Sequence, residues 1–184
     1  MNSGIIANRY AKALLKYVKG MDEEELVYSQ ASTLAEIFLE LPQFREALER
    51  SRELSLARRL ELVDTALQGQ MSQTLRSFMV LVDSHSRMEF FSRMMVSFVD
   101  QYREYKNIKM GSLSLAVPMR DVHVRLEDMI AEHTGGTVVL KEKIDESLIG
   151  GFILQVGDMR MDASVAGQFR KIRTVLTEND NRII

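Results

Sequence analysis

The sequence has no cysteine, which excludes disulfide bonds, thiolate catalysis and cysteine-ligated metal sites. Tryptophan is also absent, and proline occurs only at Pro42 and Pro118. Because proline breaks the interior of a helix, its scarcity permits long uninterrupted helices. The formal net charge of -2 offers no general positive field for nucleic acid. No run approaches the roughly 20 apolar residues that a membrane-spanning helix needs.

The N-terminal segment is amphipathic rather than continuously apolar, since Arg9, Lys12 and Lys16 interrupt it at helical spacing. A secretion signal needs an uninterrupted apolar stretch, so this interpretation is disfavoured. A mitochondrial transit peptide is the alternative for such a start, but the acidic run of residues 22–25 follows almost at once. We therefore expect the segment to be a helix of the mature fold.

Apolar residues recur at steps of three and four through the first hundred residues, which predicts a succession of helices. Asp22 and Glu25 have the spacing of a capping box, and Ser55 and Ser72 are expected to cap two later helices. The six predicted helices begin at or near Ser3, Asp22, Pro42, Ser55, Ser72 and Ser86.

The pattern changes after Tyr105, where Leu113, Leu115 and Val117 alternate with small residues. A period of two is typical of a β-strand. Three further strands are expected over Thr137–Leu140, Gly151–Val156 and Met159–Met161, with a turn at Gly157-Asp158. Helices are expected from Asp121 to Gly135-Gly136 and from Ala163 to Thr177. The fold class is therefore α+β, with a six-helix bundle over residues 1–106 and a β-α-β-β-β-α domain over residues 107–184.

Residues that could carry chemistry are few and scattered. No two of His85, His123 and His133 have the i, i+4 spacing of a helical metal pair. Neither glycine pair, Gly135-Gly136 nor Gly150-Gly151, lies within a phosphate-loop motif. Basic residues between positions 45 and 59 are interleaved with glutamates, as on a solvated helix face. We expect no catalytic, cofactor-binding or metal-binding residues.

Two carboxylates, Asp158 and Asp162, could form a pair at one end of the hairpin. The better interpretation is that Asp158 is a turn residue and that Asp162 helps to cap the last helix. The first helix carries two apolar seams, one through Ala7 and Ala11 and one through Tyr10. A helix that is apolar on two sides is either buried between neighbours or shared with a partner.

Two segments resemble a known family. Ile6–Leu14 is similar to the A-x-x-Y-A-x-A opening of the F-type ATP synthase delta subunit, whose mitochondrial counterpart is the oligomycin sensitivity-conferring protein. Leu140–Asp158 resembles that family's C-terminal signature almost position by position, and Met161–Val165 continues it. The signature residues, for which we expect a structural role, are Ile144, Asp145, Gly150, Gly151, Gly157, Asp158, Asp162 and Ser164.

The sequence departs from the family in places. Ala163 replaces a usual glycine, and Ala166 and Gln168 stand where basic residues are common. These changes put in doubt any charged contact made there by relatives. Glycine at the start of a strand, as at Gly150-Gly151, allows close backbone approach or a bulge.

The resemblance implies a non-catalytic peripheral-stalk subunit of a proton- or sodium-translocating F-type ATP synthase. The helical domain would bind N-terminal helices of α subunits, and the C-terminal domain would meet membrane-anchored b-type subunits. Without a transit peptide, the expected location is the cytoplasmic face of a bacterial plasma membrane. The alternatives are a free-standing helical adaptor, or an enzyme or small-ligand protein with a pocket of convergent polar groups.

The resemblance and the apolar spacing together predict where the α-subunit helix binds. The groove is expected between the first and fifth helices. Its predicted contact residues are Ala7, Tyr10, Ala11, Leu14, Phe78, Met79 and Val82.

Overall fold

The structure, a computed structural model, describes residues 3–50, 54–118, 125–127, 129–130, 135–170 and 173. The chain divides into two units, Met1–Arg103 and Glu104–Ile184, which we call the helical unit and the sheet unit. The division falls within the last turn of a helix, slightly before the boundary expected after residue 106.

The described part of the first unit consists of helices joined by short turns. A single 3₁₀ turn, Met88–Phe90, precedes the last of them. The α-helices are α1 (Ser3–Val18), α2 (Glu24–Glu40), α3 (Pro42–Arg50), α4 (Leu56–Ala66), α5 (Gln73–Ser84) and α6 (Phe91–Tyr105).

Two of the predicted helix caps are confirmed. The Ser55 hydroxyl accepts from the Arg58 backbone N–H at 3.3 Å, and the Ser72 hydroxyl accepts from that of Leu75 at 3.2 Å. The capping box at Asp22 and Glu25 is wrong, because α2 begins at Glu24 and its N-cap makes no side-chain hydrogen bond. Instead, the buried Glu24 carboxylate accepts from the backbone N–H of Gly20 at 3.1 Å and closes the preceding turn.

The sixth helix begins later than expected. Ser86 has a φ of +53°, a left-handed conformation that cannot continue into a right-handed helix. The chain therefore turns first, passes through the 3₁₀ turn and enters α6 at Phe91.

Aromatic side chains connect the core of the helical unit. Phe91 is completely buried, and its ring packs edge-on against Phe38 with centroids 6.2 Å apart. Phe78 lies 6.4 Å from the same ring, and Tyr10 lies 6.4 Å from Phe78. Contacts of this kind add to the free energy of burial. The side chains of α1, α2, α5 and α6 therefore share one core.

The sheet unit contains four strands among its described residues. Their order in the sheet is β2-β1-β3-β4; β1 and β2 are parallel, whereas the other neighbours are antiparallel. The strands are β1 (Ile108–Leu115), β2 (Thr137–Ile144), β3 (Phe152–Val156) and β4 (Met159–Asp162). The mixed α+β class is thus confirmed.

Two strand predictions differ from the structure by more than one residue at their ends. The first strand starts earlier, at Ile108, and ends before Val117. The second continues to Ile144 through Lys141, Glu142 and Lys143, which ended the apolar pattern in the sequence. Charged side chains are tolerated there because β2 lies at the edge of the sheet.

A parallel pair such as β1 and β2 needs a crossover connection, which is usually helical. Residues 125–127 and 129–130 of this connection are helical, and Leu126 and Ile130 are buried in the core of the sheet. The expected cap Asp121 and the histidines His123 and His133 lie outside the described residues. Residues 165–170 begin the expected last helix, most of whose later part also lies outside them.

Candidate partner-binding groove and glycine signature

The residues predicted to contact a partner on α1 and α5 lie mainly in the core. Six of the seven side chains are at most 6% exposed, and only Tyr10 is partly exposed. Their spacing of three and four residues places them on the inner faces of the two helices. The six buried residues are Ala7, Ala11, Leu14, Phe78, Met79 and Val82. They hold the two helices in position and do not themselves form an open surface.

A groove lies on the adjoining, outer side of these helices. It encloses about 510 Å³ and is mainly apolar. Ile5 is 59% exposed and Leu81 is 46% exposed, so apolar side chains are presented to solvent here. The groove, which we call the α1/α5 groove, is lined by Ile5, Ile6, Arg9, Tyr10, Ala13, Leu81, His85 and Arg87.

Tyr10 links the α1/α5 groove to the core. Its ring packs edge-on against Phe78 at 6.4 Å and against His85 at 6.4 Å. His85 ends α5, where its ring Nδ1 lies 2.8 Å from the Leu81 carbonyl oxygen, so this nitrogen donates in that hydrogen bond. Tyr10 is thus held by the buried Phe78 and the exposed His85, and it remains partly exposed in the groove.

The charged side chains that line the α1/α5 groove are both cationic. Arg9 projects from α1, and Arg87 follows the end of α5. No acidic side chain is among the described residues that line this groove. A groove of this kind favours a partner that is apolar along one face and acidic beside it.

The predicted contact residues include Tyr10 of this groove but not Ile5 or Leu81. Both are exposed apolar residues, Ile5 on α1 and Leu81 on α5, that lie outside the buried seam. Their spacing was visible in the sequence, but only the packing of α1 against α5 shows which apolar face is the outer one. This ambiguity is inherent in a helix with two apolar seams.

The Gly150-Gly151 pair is a point of close backbone approach. Gly151 has a φ of +75°, and a Cβ added there would collide with the Ala163 carbonyl oxygen. A Cβ at Gly150 would lie 3.0 Å from the Val165 side chain, whose backbone N–H donates to the Gly150 carbonyl at 3.0 Å. The two glycines therefore hold the beginning of the last helix against the start of β3.

The Ser164 hydroxyl caps the last helix directly, and Asp162 helps, as predicted, by holding that serine. The buried Ser164 hydroxyl accepts from the Gly167 backbone N–H at 2.9 Å and donates to the Asp162 carboxylate at 2.6 Å. Asp162 also accepts from the Ser164 N–H at 3.0 Å and pairs with Arg170 at 3.2 Å. The hydrogen bonds from Ser164 lower the pKa of Asp162, and Arg170 adds to this effect.

Asp145 forms a similar turn at the end of β2. Its carboxylate accepts from the Ser147 hydroxyl at 2.6 Å and from the Ser147 backbone N–H at 3.1 Å. These two hydrogen bonds lower the pKa of Asp145. Ile144 precedes it as the last residue of β2 and is 45% exposed. The motif is a structural turn, with its acidic group used to order the backbone.

The predicted hairpin turn at Gly157-Asp158 is confirmed. Val156 pairs with Met159 across the turn, and Gly157 has a φ of +55°. Asp158 is exposed in the turn, whereas Asp162 is held by Ser164 and Arg170. This arrangement agrees with a turn residue and a structural carboxylate rather than with a catalytic pair.

Within the ranges that the structure describes, no three histidine or acidic side chains converge in a way that could hold a metal ion. Over the same residues, none of the helices has both the length and the apolar character to cross a membrane.

Comparison with known protein families decides which family the chain belongs to. A family model described as ATP synthase delta (OSCP) subunit matches residues 6–176. The chain belongs to this family. Curated relatives of the delta family agree along the whole length. "ATP synthase subunit delta" of Phocaeicola vulgatus is 38% identical, with all of both chains covered.

More distant delta subunits extend the same relationship. That of Parabacteroides distasonis is 34% identical over 97% of this chain and 99% of its own length. That of Enterococcus hirae is 29% identical over 93% of this chain and 95% of its own. The match therefore includes both the helical unit and the sheet unit.

A solved structure has the same fold as this delta-family chain. It is a chain of the cryo-EM structure of the Toxoplasma gondii mitochondrial ATP synthase hexamer. The TM-score is 0.60 at 19% identity, covering 93% of this chain and 97% of that chain. As a delta-family member, the chain is a structural component of the peripheral stalk of an ATP synthase, not itself an enzyme, and is membrane-associated through that complex.

Proposed function

We propose that this chain is the stator connector of a bacterial F-type ATP synthase, joining the α/β catalytic head to membrane-anchored b-type subunits. The supporting observation is the delta-family match over residues 6–176, which spans both units. A connector resists rotor torque through stiff packing and needs no reactive group. The proposed location is the cytoplasmic face of the plasma membrane, and the coupling ion is a proton or sodium.

The proposal assigns the helical unit, acting as a six-helix bundle, to the catalytic head. The α1/α5 groove would accept an N-terminal helix of an α subunit, because an amphipathic helix lays its apolar face into an apolar groove. Ile5, Tyr10 and Leu81 would contact that face. The six buried residues predicted as contacts would act indirectly by fixing the spacing of α1 and α5.

The two charged residues that line the groove, Arg9 and Arg87, form what we call its rim, and they determine which charge on a partner is favoured. Arg9 and Arg87 favour carboxylates beside the apolar face of the bound helix. Rim charges mainly affect association rate and salt dependence, so each arginine is expected to contribute modestly. Their joint loss should still weaken binding measurably.

A peptide titration tests the groove. The probe is a peptide of the cognate α-subunit N-terminus, and amide chemical shifts of the labelled full chain are recorded. We expect the signals of Tyr10 and Leu81 to move, whereas signals of the sheet unit stay in place. Unmoved α1 and α5 signals would refute this placement of the partner.

Charge reversal tests the rim separately. We expect Arg9→Glu combined with Arg87→Glu to weaken peptide binding by about tenfold or more at low salt, and a peptide with its acidic residues changed to lysine to recover affinity. Lys16→Glu is the matched control, since Lys16 is exposed on α1 but does not line the groove. Equal effects of the control and the double variant would exclude a specific role for the rim.

Tyr10→Asp addresses the centre of the groove. We expect weaker binding to the head with the helical circular dichroism retained, because Tyr10 remains partly exposed in the groove. Unchanged affinity would count against the assignment. Tyr10→Phe is the conservative control, which keeps the ring contact with Phe78.

The sheet unit, as a β-α-β-β-β-α domain, is assigned to the b-type stalk. Affinity purification of the tagged full chain from its native membranes tests the whole proposal. Recovery of α, β and b-type subunits is expected of a connector. A free-standing helical adaptor, the second candidate, would be recovered without them.

A further inference from the structure

Three methionines converge on one depression in the sheet unit. Met159 and Met161 project from the same side of β4, where Met159 pairs with Val156 and Met161 with Leu154. Met129, from the crossover helix, lines the same depression. It encloses about 460 Å³ and is almost wholly apolar. Its lining residues are Met129, Ile130, Leu154, Val156, Met159, Arg160 and Met161.

These side chains extend the core face of the sheet into solvent. Leu154 and Val156 are buried in that core, whereas Met159 is 60% exposed, Met161 is 46% exposed and Met129 is 42% exposed. In the helical unit, by contrast, Met79, Met94 and Met95 are fully buried. The thioethers of the depression are therefore far more accessible to a dissolved reagent than those of the helical core.

The chain has no cysteine, so methionine thioethers are its only sulfur nucleophiles. Exposure governs the oxidation of methionine, which converts a flexible apolar side chain into a polar sulfoxide. On the edge strand, the change would place polar oxygens over Leu154 and Val156.

We propose that Met129, Met159 and Met161 form an oxidation site, at which hydroperoxides convert the methionine side chains to methionine sulfoxide. This oxidation removes the apolar character of the depression. A sulfur lone pair attacks one peroxide oxygen, so that an S–O bond forms as the O–O bond breaks. Sulfur is oxidised by two electrons, and the peroxide is reduced. With hydrogen peroxide, the departing hydroxide takes the proton from the oxygen now bound to sulfur and leaves as water. Methionine sulfoxide reductases reverse the change.

The order of oxidation is the first test. The full chain is treated with limiting hydrogen peroxide, the reagent is removed with catalase, and sulfoxide at each methionine is quantified by peptide mass spectrometry. We expect Met159 and Met161 to react at least about tenfold faster than Met79, Met94 and Met95. Rates equal to those of the buried methionines would overturn the proposal.

The second test asks whether oxidation alters the depression itself. The probe is the apolar dye bis-ANS, followed through the methyl NMR signals of Leu154 and Val156. We expect peroxide treatment to weaken dye binding at these methyl groups by about tenfold, and reductase treatment to restore it. Unchanged binding after complete oxidation of Met159 and Met161 would overturn the proposal.

Two variants separate this site from general oxidation. The Met159→Leu, Met161→Leu double variant keeps apolar side chains and should retain dye binding after peroxide treatment. Met21→Leu is the matched control, because Met21 is 42% exposed but lies in the other unit. It should lose dye binding as the unmodified chain does. Equal loss in the double variant and the control would assign the effect to other residues and refute the site.

Discussion

The helical unit and the sheet unit bury apolar surface with different kinds of residue. The helical unit packs large rings, such as Phe91 and Phe98, between helices whose apolar spacing is visible in any short window of sequence. The sheet unit buries Leu113, Leu140 and Leu154 from strands that are distant in sequence. It also depends on Gly151, where two backbone segments meet. Local periodicity is therefore a good guide to the first unit and a partial guide to the second.

The difference extends to polar groups. In the helical unit, Ser55 and Ser72 cap helices independently, each bonding three residues along the chain. In the sheet unit, Asp162, Ser164 and Gly167 form one linked cap beside the glycine pair. A linked group is more sensitive to a single substitution, since loss of one partner affects the others.

The largest expected effect tests the ring core of the helical unit. Phe91→Ala should destabilise the chain by about 3–5 kcal/mol, because it leaves a cavity among Phe38, Phe78 and their neighbours. Urea unfolding followed by circular dichroism measures the loss. Leu39→Ala, at a position 79% exposed, should change stability by about 0.5 kcal/mol or less. Similar values for the two variants would contradict a core centred on Phe91.

The next largest effect tests the close approach of Gly151 to Ala163 in the sheet unit. Gly151→Ala should cost about 2–4 kcal/mol, from the left-handed backbone and the collision with Ala163 together. Gly157→Ala is the matched control, because Gly157 also has positive φ but a Cβ added there would meet open space. It should cost only about 1–2 kcal/mol. Hydrogen exchange of the β3 amides would measure the loss of stability in both variants. Equal losses would exclude the contact with Ala163 as the cause of the Gly151→Ala effect.

A smaller effect is expected from the linked cap. Ser164→Ala removes an acceptor for Gly167 and a donor to Asp162 at a fully buried position, and should cost about 1–2 kcal/mol. Ser55→Ala, which removes a cap at a helix surface, should cost about 0.5–1 kcal/mol. Thermal unfolding of the two variants gives the comparison. A larger loss at Ser55 would mean that the caps of the two units do not differ in the proposed way.

The smallest effect concerns pH. The pKa of Asp145 and that of Asp162 are both lowered from 3.8 by hydrogen bonds to their serine neighbours. A carboxyl with a lowered folded-state pKa stabilises the fold above its unfolded pKa and loses that contribution as the pH falls through the folded pKa. Stability of the sheet unit should therefore decrease below pH 3.8.

Asp162→Asn tests this origin of the acid sensitivity. The variant should show a shallower fall in urea midpoint between about pH 4 and pH 2, since the titrating carboxyl is gone. Asp158→Asn is the control, because Asp158 is exposed in the hairpin turn. If the urea midpoint falls as steeply at low pH in the Asp162 variant as in the unmodified chain, the acid sensitivity belongs to other groups.

Several features followed directly from sequence. Serine caps at Ser55 and Ser72, the hairpin at Gly157-Asp158 and the mixed class all depend on residues within a few positions of one another. The C-terminal signature predicted the family, because its spacing is specific over residues 140–165. The capping box at Asp22 failed because Glu24 is buried and bonds to Gly20 instead.

The candidate site was predictable only in part. The predicted contacts lie on α1 and α5 and include Tyr10 of the groove, whereas the other six are buried on the inner faces of the two helices. Both seams of α1 have helical spacing, so periodicity alone gives no preference. The choice depends on which side of α1 is covered by the other helices of the unit, and this is a property of packing.

The sequence by itself determined the family, the α+β class and the helical character of the first hundred residues, since each depends on local spacing or on a contiguous signature. Only tertiary structure decided that the α1/α5 groove is bordered by Ile5 and Leu81, and that Gly151 faces Ala163. It also placed Met129 beside Met159 and Met161. Each of these contacts joins residues brought together by the packing of different elements, which a local sequence pattern does not encode.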